Sequence, residues 1–114
     1  MGQEQRRFAR VTQQLPAQCR SYGSLSSTWR NVMTADLSAV GVRFMGDELL
    51  DLESSVEFQL LLSTFHEPLV VRGRVVRSQM LPTGQVESAI DFMDMIPEQQ
   101  ERIDQMVRFL LGKA

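Results

Sequence analysis

The residues able to do chemistry in this chain fall in two short stretches. The first, Arg6-Arg7-Phe8-Ala9-Arg10, puts three guanidiniums into five residues. A guanidinium is planar, permanently charged and presents paired N–H donors, so such a cluster needs an anion. The second is Asp36-Leu37-Ser38-Ala39-Val40-Gly41-Val42-Arg43-Phe44. A carboxylate and a hydroxyl two residues apart lie on one face of an extended strand, and Gly41 lets the backbone approach a ligand closely. Each feature also has a plainer reading by itself. The arginines suit a solvated charge cluster, Asp36 and Ser38 suit an Asx or Ser turn, and Gly41 suits a bulge.

In this order and at this separation, the two stretches resemble the paired signatures of the PilZ domain family, RxxxR followed by (Asp/Asn)-x-Ser-x-x-Gly. The likeness continues through the strand-rich middle and the terminal helix. It implies a bacterial receptor for cyclic di-GMP that is not an enzyme and holds no cofactor. Carried over residue by residue, it makes Arg6 and Arg10 the principal guanine and phosphate contacts, with Arg7 a further cation. Asp36 would accept from the guanine N1–H and N2–H edge, Ser38 would supply a hydroxyl, and Gly41 would keep room for the ligand. Arg77, where some members carry an aromatic that covers a guanine, is an additional candidate contact. The chain departs from the family at Ala89-Ile90-Asp91-Phe92, where a glycine often opens the segment.

The chemistry of the ligand suits these side chains. Cyclic di-GMP offers two singly charged phosphates and two guanines with O6 and N7 acceptors. Arginine can pair with either target and can also stack on a purine.

Composition narrows the alternatives. At 114 residues, 43% hydrophobic and 23% charged, the chain is the size of one ordinary globular domain, and residues 1–114 are expected to form a single module. A formal charge of −2 argues against a nucleic-acid partner, which needs a basic footprint. Cys19 is the only cysteine and His66 the only histidine, so no disulfide, cysteine cluster or histidine metal centre is expected. Met1 to Arg7 lacks the apolar core of a signal peptide, and the longest apolar run, Leu60-Leu61-Leu62, is far short of a membrane span. A cytoplasmic location without membrane insertion follows as the expectation.

The elements that must position the two stretches can be read from periodicity. Residues 1–12 carry no sustained period and read as a flexible N-terminal arm with Phe8 and Val11 as anchors. A six-stranded antiparallel β-barrel is expected over 13–95. Its strands are marked by Leu15, Ala17 and Cys19; by Trp29 to Ala35, leading into a turn at Asp36; by Val40, Val42 and Phe44; by Val56, Phe58, Leu60 and Leu62; by Leu69 to Met80; and by Val86, Ser88, Ile90 and Phe92. Gly73 suggests a bulge or a close backbone approach, and the acidic stretch after Gly46 has room for one helical turn. From Pro97 the period becomes 3.6. Ile103, Met106, Val107, Leu110 and Leu111 form one stripe of a helix over 97–112 that must bury itself on the barrel.

With no output domain in this length, a signal would pass to another protein, not identifiable from sequence, or to a second copy in a homodimer. The alternative is a PilZ-like adaptor that binds no nucleotide.

Overall fold

The computed structural model describes residues 8–23, 27–61 and 68–112. Among these described residues, seven strands and a helix follow in chain order. These are β1 (Arg10–Val11), β2 (Pro16–Ser21), β3 (Arg30–Ser38), β4 (Gly41–Gly46), β5 (Ser55–Leu60), β6 (Leu69–Met80), β7 (Val86–Met93) and α1 (Pro97–Leu110). The sheet runs β3-β2-β5-β6-β7-β4 and closes through β3–β4 pairing, with every ladder antiparallel. It is the expected six-stranded barrel with a C-terminal helix, and β1 is an added strand at the edge of β3.

Alternation decides what lies inside. In β5, Val56, Phe58 and Leu60 are buried while their neighbours face outward, and β7 buries Val86, Ser88 and Ile90. Phe44 packs against Phe58 with ring centroids 5.2 Å apart. Cys19 points into the same core, where burial, and then Glu48, push its thiol up to about 12. Among the described residues, buried polar side-chain atoms are all paired. Thr34 accepts the Leu15 N–H at 3.0 Å and donates to the Gln13 carbonyl at 2.6 Å, which pins the segment between β1 and β2 to β3.

The helix begins at Pro97, with Glu98 in its first turn and Arg108 in its last, both suited to the macrodipole. Ile103, Met106 and Val107 are buried and Leu110 packs partly on the core. Leu111 was expected on this stripe but lies past the helix end and is exposed, because the chain turns there and Gly112 takes a positive φ of 77°. The turn at Pro82 forms as expected, with the Gly84 N–H donating to the Leu81 carbonyl at 2.9 Å.

Several local expectations change. Arg10 and Val11, read from sequence as part of the N-terminal arm, form the short strand β1. They pair with Ser38 and Leu37, Val11 is buried, and the Ala9 N–H donates to Asp104 Oδ1 of α1 at 2.8 Å. Residues 1–7 lie outside the described residues, as do Leu62 and the turn around His66. Asp36 is within β3 and not in a turn, because the strand continues to Ser38 after a bulge at Ala35. Val40 then sits exposed in the two-residue connection and does not share the buried face of Val42 and Phe44. The stretch 47–54 has bends and a turn but no helix. Gly73 marks a close approach: a Cβ there would lie 2.9 Å from Ile90 Cδ1 and 3.1 Å from the Asp91 carbonyl oxygen. The bulge of β6 is at Val76 instead.

Candidate functional site

The pairing of β1 with β3 brings the end of the first stretch, Arg10, beside the second. β1 runs along β3, so Arg10 comes opposite Ser38 and its side chain reaches Asp36, with Nη1 3.2 Å from Oδ2. The two ends of this pair differ. The Arg10 side chain is 67% exposed and the Asp36 side chain only 14%. The carboxylate is therefore fixed in the wall while the guanidinium is largely in solvent.

A shallow concavity of about 200 Å³ opens here, lined by Arg10, Asp36, Ser38, Gly41, Arg43 and Asp91 among others. The floor is the end of the β3–β4 hairpin where it meets β7. Ser38 is buried and its Oγ accepts the Val40 N–H at 3.2 Å, so the hydroxyl holds the connection closed. That is the local-turn role which the sequence left open beside ligand contact. Gly41 pairs with Asp91, and a Cβ on it would meet the Ile90 carbonyl oxygen at 2.7 Å. Its missing side chain serves first to let β4 and β7 close.

Of the residues singled out from sequence, Arg10, Asp36, Ser38 and Gly41 thus come together around one concavity. Arg6 and Arg7 lie outside the described residues. Arg77 is not in its lining. It projects from β6 with Nη2 3.0 Å from Glu87 Oε1.

Two residues passed over in the sequence complete the arrangement. Arg43, opposite Asp36 across β3–β4, places Nη2 3.8 Å from Asp36 Oδ2 and donates through Nη1 to Glu87 Oε2. Glu87 also receives Arg77 and Gln79, and these bonds, Arg43 first, hold its carboxyl below the ordinary glutamate value. Arg10, Asp36, Arg43, Glu87 and Arg77 form a row of alternating charge across β1, β3, β4, β7 and β6. In sequence the only hint was that Arg43 stands two residues after Gly41, on the same side of a strand.

A second concavity, about 250 Å³, lies at the other end of β4, lined by Cys19, Arg20, Arg30, Gly46 and Glu48 among others. Arg30 pairs with Glu48 at 2.9 Å across it, and Arg20 stacks over Trp29 at 4.2 Å. Among the described residues no three histidine, cysteine, aspartate or glutamate side chains cluster to hold a metal ion, and no helix is long and apolar enough to cross a membrane.

Comparison with known proteins adds family and fold. The family described as PilZ domain matches residues 4–109. The Bacillus subtilis inhibitor of motility, MotI/DgrA, superposes with a TM-score of 0.69 at 16% identity, over 94% of this chain and 52% of that one. The PilZ domain of CeSA from a cellulose-synthesising bacterium gives 0.66 at 17% identity, over 90% and 98%. YcgR of Escherichia coli, in complex with c-di-GMP, gives 0.69 at 13% identity, over 94% and 46%. The chain spans about half the length of the first and third of these. No curated protein sequence matches it.

Proposed function

This chain belongs to the PilZ domain family, and on that premise we propose that it is a receptor for cyclic di-GMP that relays the signal to another protein and catalyses nothing. The observation that carries the reading is the meeting of Arg10 and Asp36 at the lip of one concavity, 3.2 Å apart, with the carboxylate fixed and the guanidinium in solvent. An exposed guanidinium is free to exchange a carboxylate for a ligand phosphate or for guanine O6 and N7. Asp36 would then accept from the guanine N1–H and N2–H edge. Arg6, the other principal contact, and Arg7, a further cation, precede Arg10 on the same stretch and would join it at the guanine and the phosphates. Neighbouring folds seen with c-di-GMP, YcgR and MrkH among them, support the choice of ligand.

In this reading residues 13–95 are the platform, 97–112 the helix against it and 1–12 the part that changes on binding. Because Arg10 and Val11 pair with β3, we assign the change within that arm to the Arg10 side chain and the residues ahead of β1. The altered surface would be read by a partner protein or by a second copy, in the cytoplasm.

Isothermal titration calorimetry with cyclic di-GMP, GTP and a short oligonucleotide tests the proposal. Binding of the first alone is the expected result. Binding of none leaves a protein-binding adaptor, in which Arg10–Asp36 is only a structural ion pair, and binding of the oligonucleotide alone overturns the ligand class.

A further inference from the structure

Asp36 has a second guanidinium beside it that is far less free to leave. Arg43 is only 37% exposed, and its fork is spread between two carboxylates on neighbouring strands, Glu87 through Nη1 and Asp36 through Nη2 at 3.8 Å. Glu87 is itself almost enclosed, with its side chain 12% exposed, and is fixed by Arg77 at 3.0 Å and Gln79 at 3.2 Å. Position thus passes inward to outward: β6 holds Glu87, Glu87 holds one end of Arg43, and the other end of Arg43 faces Asp36.

We infer that Arg43 is a positioning residue that fixes the Asp36 carboxylate for the guanine edge, and that Glu87 fixes Arg43. The inference rests on the reading of Asp36 as the guanine acceptor. When a phosphate draws Arg10 away, Asp36 loses its nearer partner. A carboxylate left without a partner would turn about its side-chain bonds or take on water, and its two oxygens would no longer match two adjacent N–H donors. Arg43 prevents this without spending its own charge on the ligand. Discrimination is where the effect must appear, since a site built to accept an N–H rejects the analogue lacking it. Affinity common to all cyclic dinucleotides would come from Arg10 and the phosphates. The bridging needs a fork, so lysine, a single point of charge, cannot replace Arg43.

The experiment compares cyclic di-GMP with cyclic di-IMP, in which each guanine lacks its 2-amino group, by calorimetry on the full chain. Wild type is expected to prefer cyclic di-GMP by about tenfold or more. Arg43→Gln, Arg43→Lys and Asp36→Asn should all reduce that preference to within about twofold of unity, and Glu87→Gln should fall between, while circular dichroism spectra stay native. The inference is overturned if Arg43→Gln weakens both ligands by the same factor, if Arg43→Lys keeps the full preference, or if wild type shows no preference. A wild type that binds neither ligand overturns the receptor reading as well. Intact preference in both Arg43 variants overturns this inference alone.

Discussion

The carbonyl oxygen of Ile90 fills the place where a side chain on Gly41 would begin, 2.7 Å from the position of its Cβ. The glycine that closes the Asp36-x-Ser38-x-x-Gly41 stretch is thereby required by the ladder between β4 and β7. It acts on the site by bringing Asp91 and Ile90 of β7 against the concavity that Asp36 lines.

Gly41→Ala should therefore cost stability as well as binding. The methyl meets backbone, which cannot swing aside as a side-chain tip can, so a loss of ~1–3 kcal/mol in urea unfolding is expected. Gly46→Ala meets only a Val32 methyl at 3.2 Å and should cost less. Equal costs for the two would show that the strand contact yields.

Arg10→Ala and Asp36→Ala should each weaken cyclic di-GMP binding by ~1.5–3 kcal/mol, roughly ten- to more than a hundredfold, through loss of a charge-assisted contact. Arg10 is mostly in solvent, so its melting temperature should barely move. Near-native affinity in both variants, measured by calorimetry, would remove them from the site.

On the helix, Val107→Asp should be far more damaging than Leu110→Asp. Val107 is fully buried, and an unpaired carboxylate there should cost at least ~3 kcal/mol, whereas Leu110 is only partly covered and the new charge can reach water. Thermal unfolding followed by circular dichroism separates the two. Comparable losses would mean that the helix end is packed more tightly than its exposure indicates.

Glu87 gives a pH dependence of definite sign. Its carboxyl is held below the ordinary 4.5 by Arg43, Arg77 and Gln79, so its stabilising effect is complete above that value and disappears as pH falls through the lower folded value. Glu87→Gln should accordingly melt below wild type at pH 7, and the gap should narrow as the pH is lowered beneath 4.5. A gap that stays constant down to pH 2 would show that the ion pairs contribute nothing.

Much of this architecture is legible from local pattern. The period-two runs of β5 and β7 and the change to 3.6 after Pro97 reflect one buried face each, which a single segment reveals. β1 is legible only in part. Two residues carry no period, and Val11 is buried through the pairing of β1 with β3, beside an Ala9–Asp104 contact to a helix far along the chain. The bulge at Ala35 depends on how β3 changes partners from β2 to β4. For the site, Asp36, Ser38 and Gly41 were readable as a motif, but Arg43 and Glu87 were not. Their pairing spans 44 positions and exists only through the β4–β7 ladder. In the sequence Glu87 is one acid among many.

Cys19 gives the barrel an internal reporter of its own breathing. Thiol reagents attack the thiolate, and this thiol is buried at the floor of the second concavity and pushed up to about 12. Burial disfavours the thiolate, so labelling in the closed state is expected to be slow, and exposure is expected to restore ordinary reactivity. Since it is the only cysteine in the chain, the labelling rate of unmodified protein reports on opening of the barrel around β2, with no engineered probe. A ligand that tightens the barrel is expected to slow that rate.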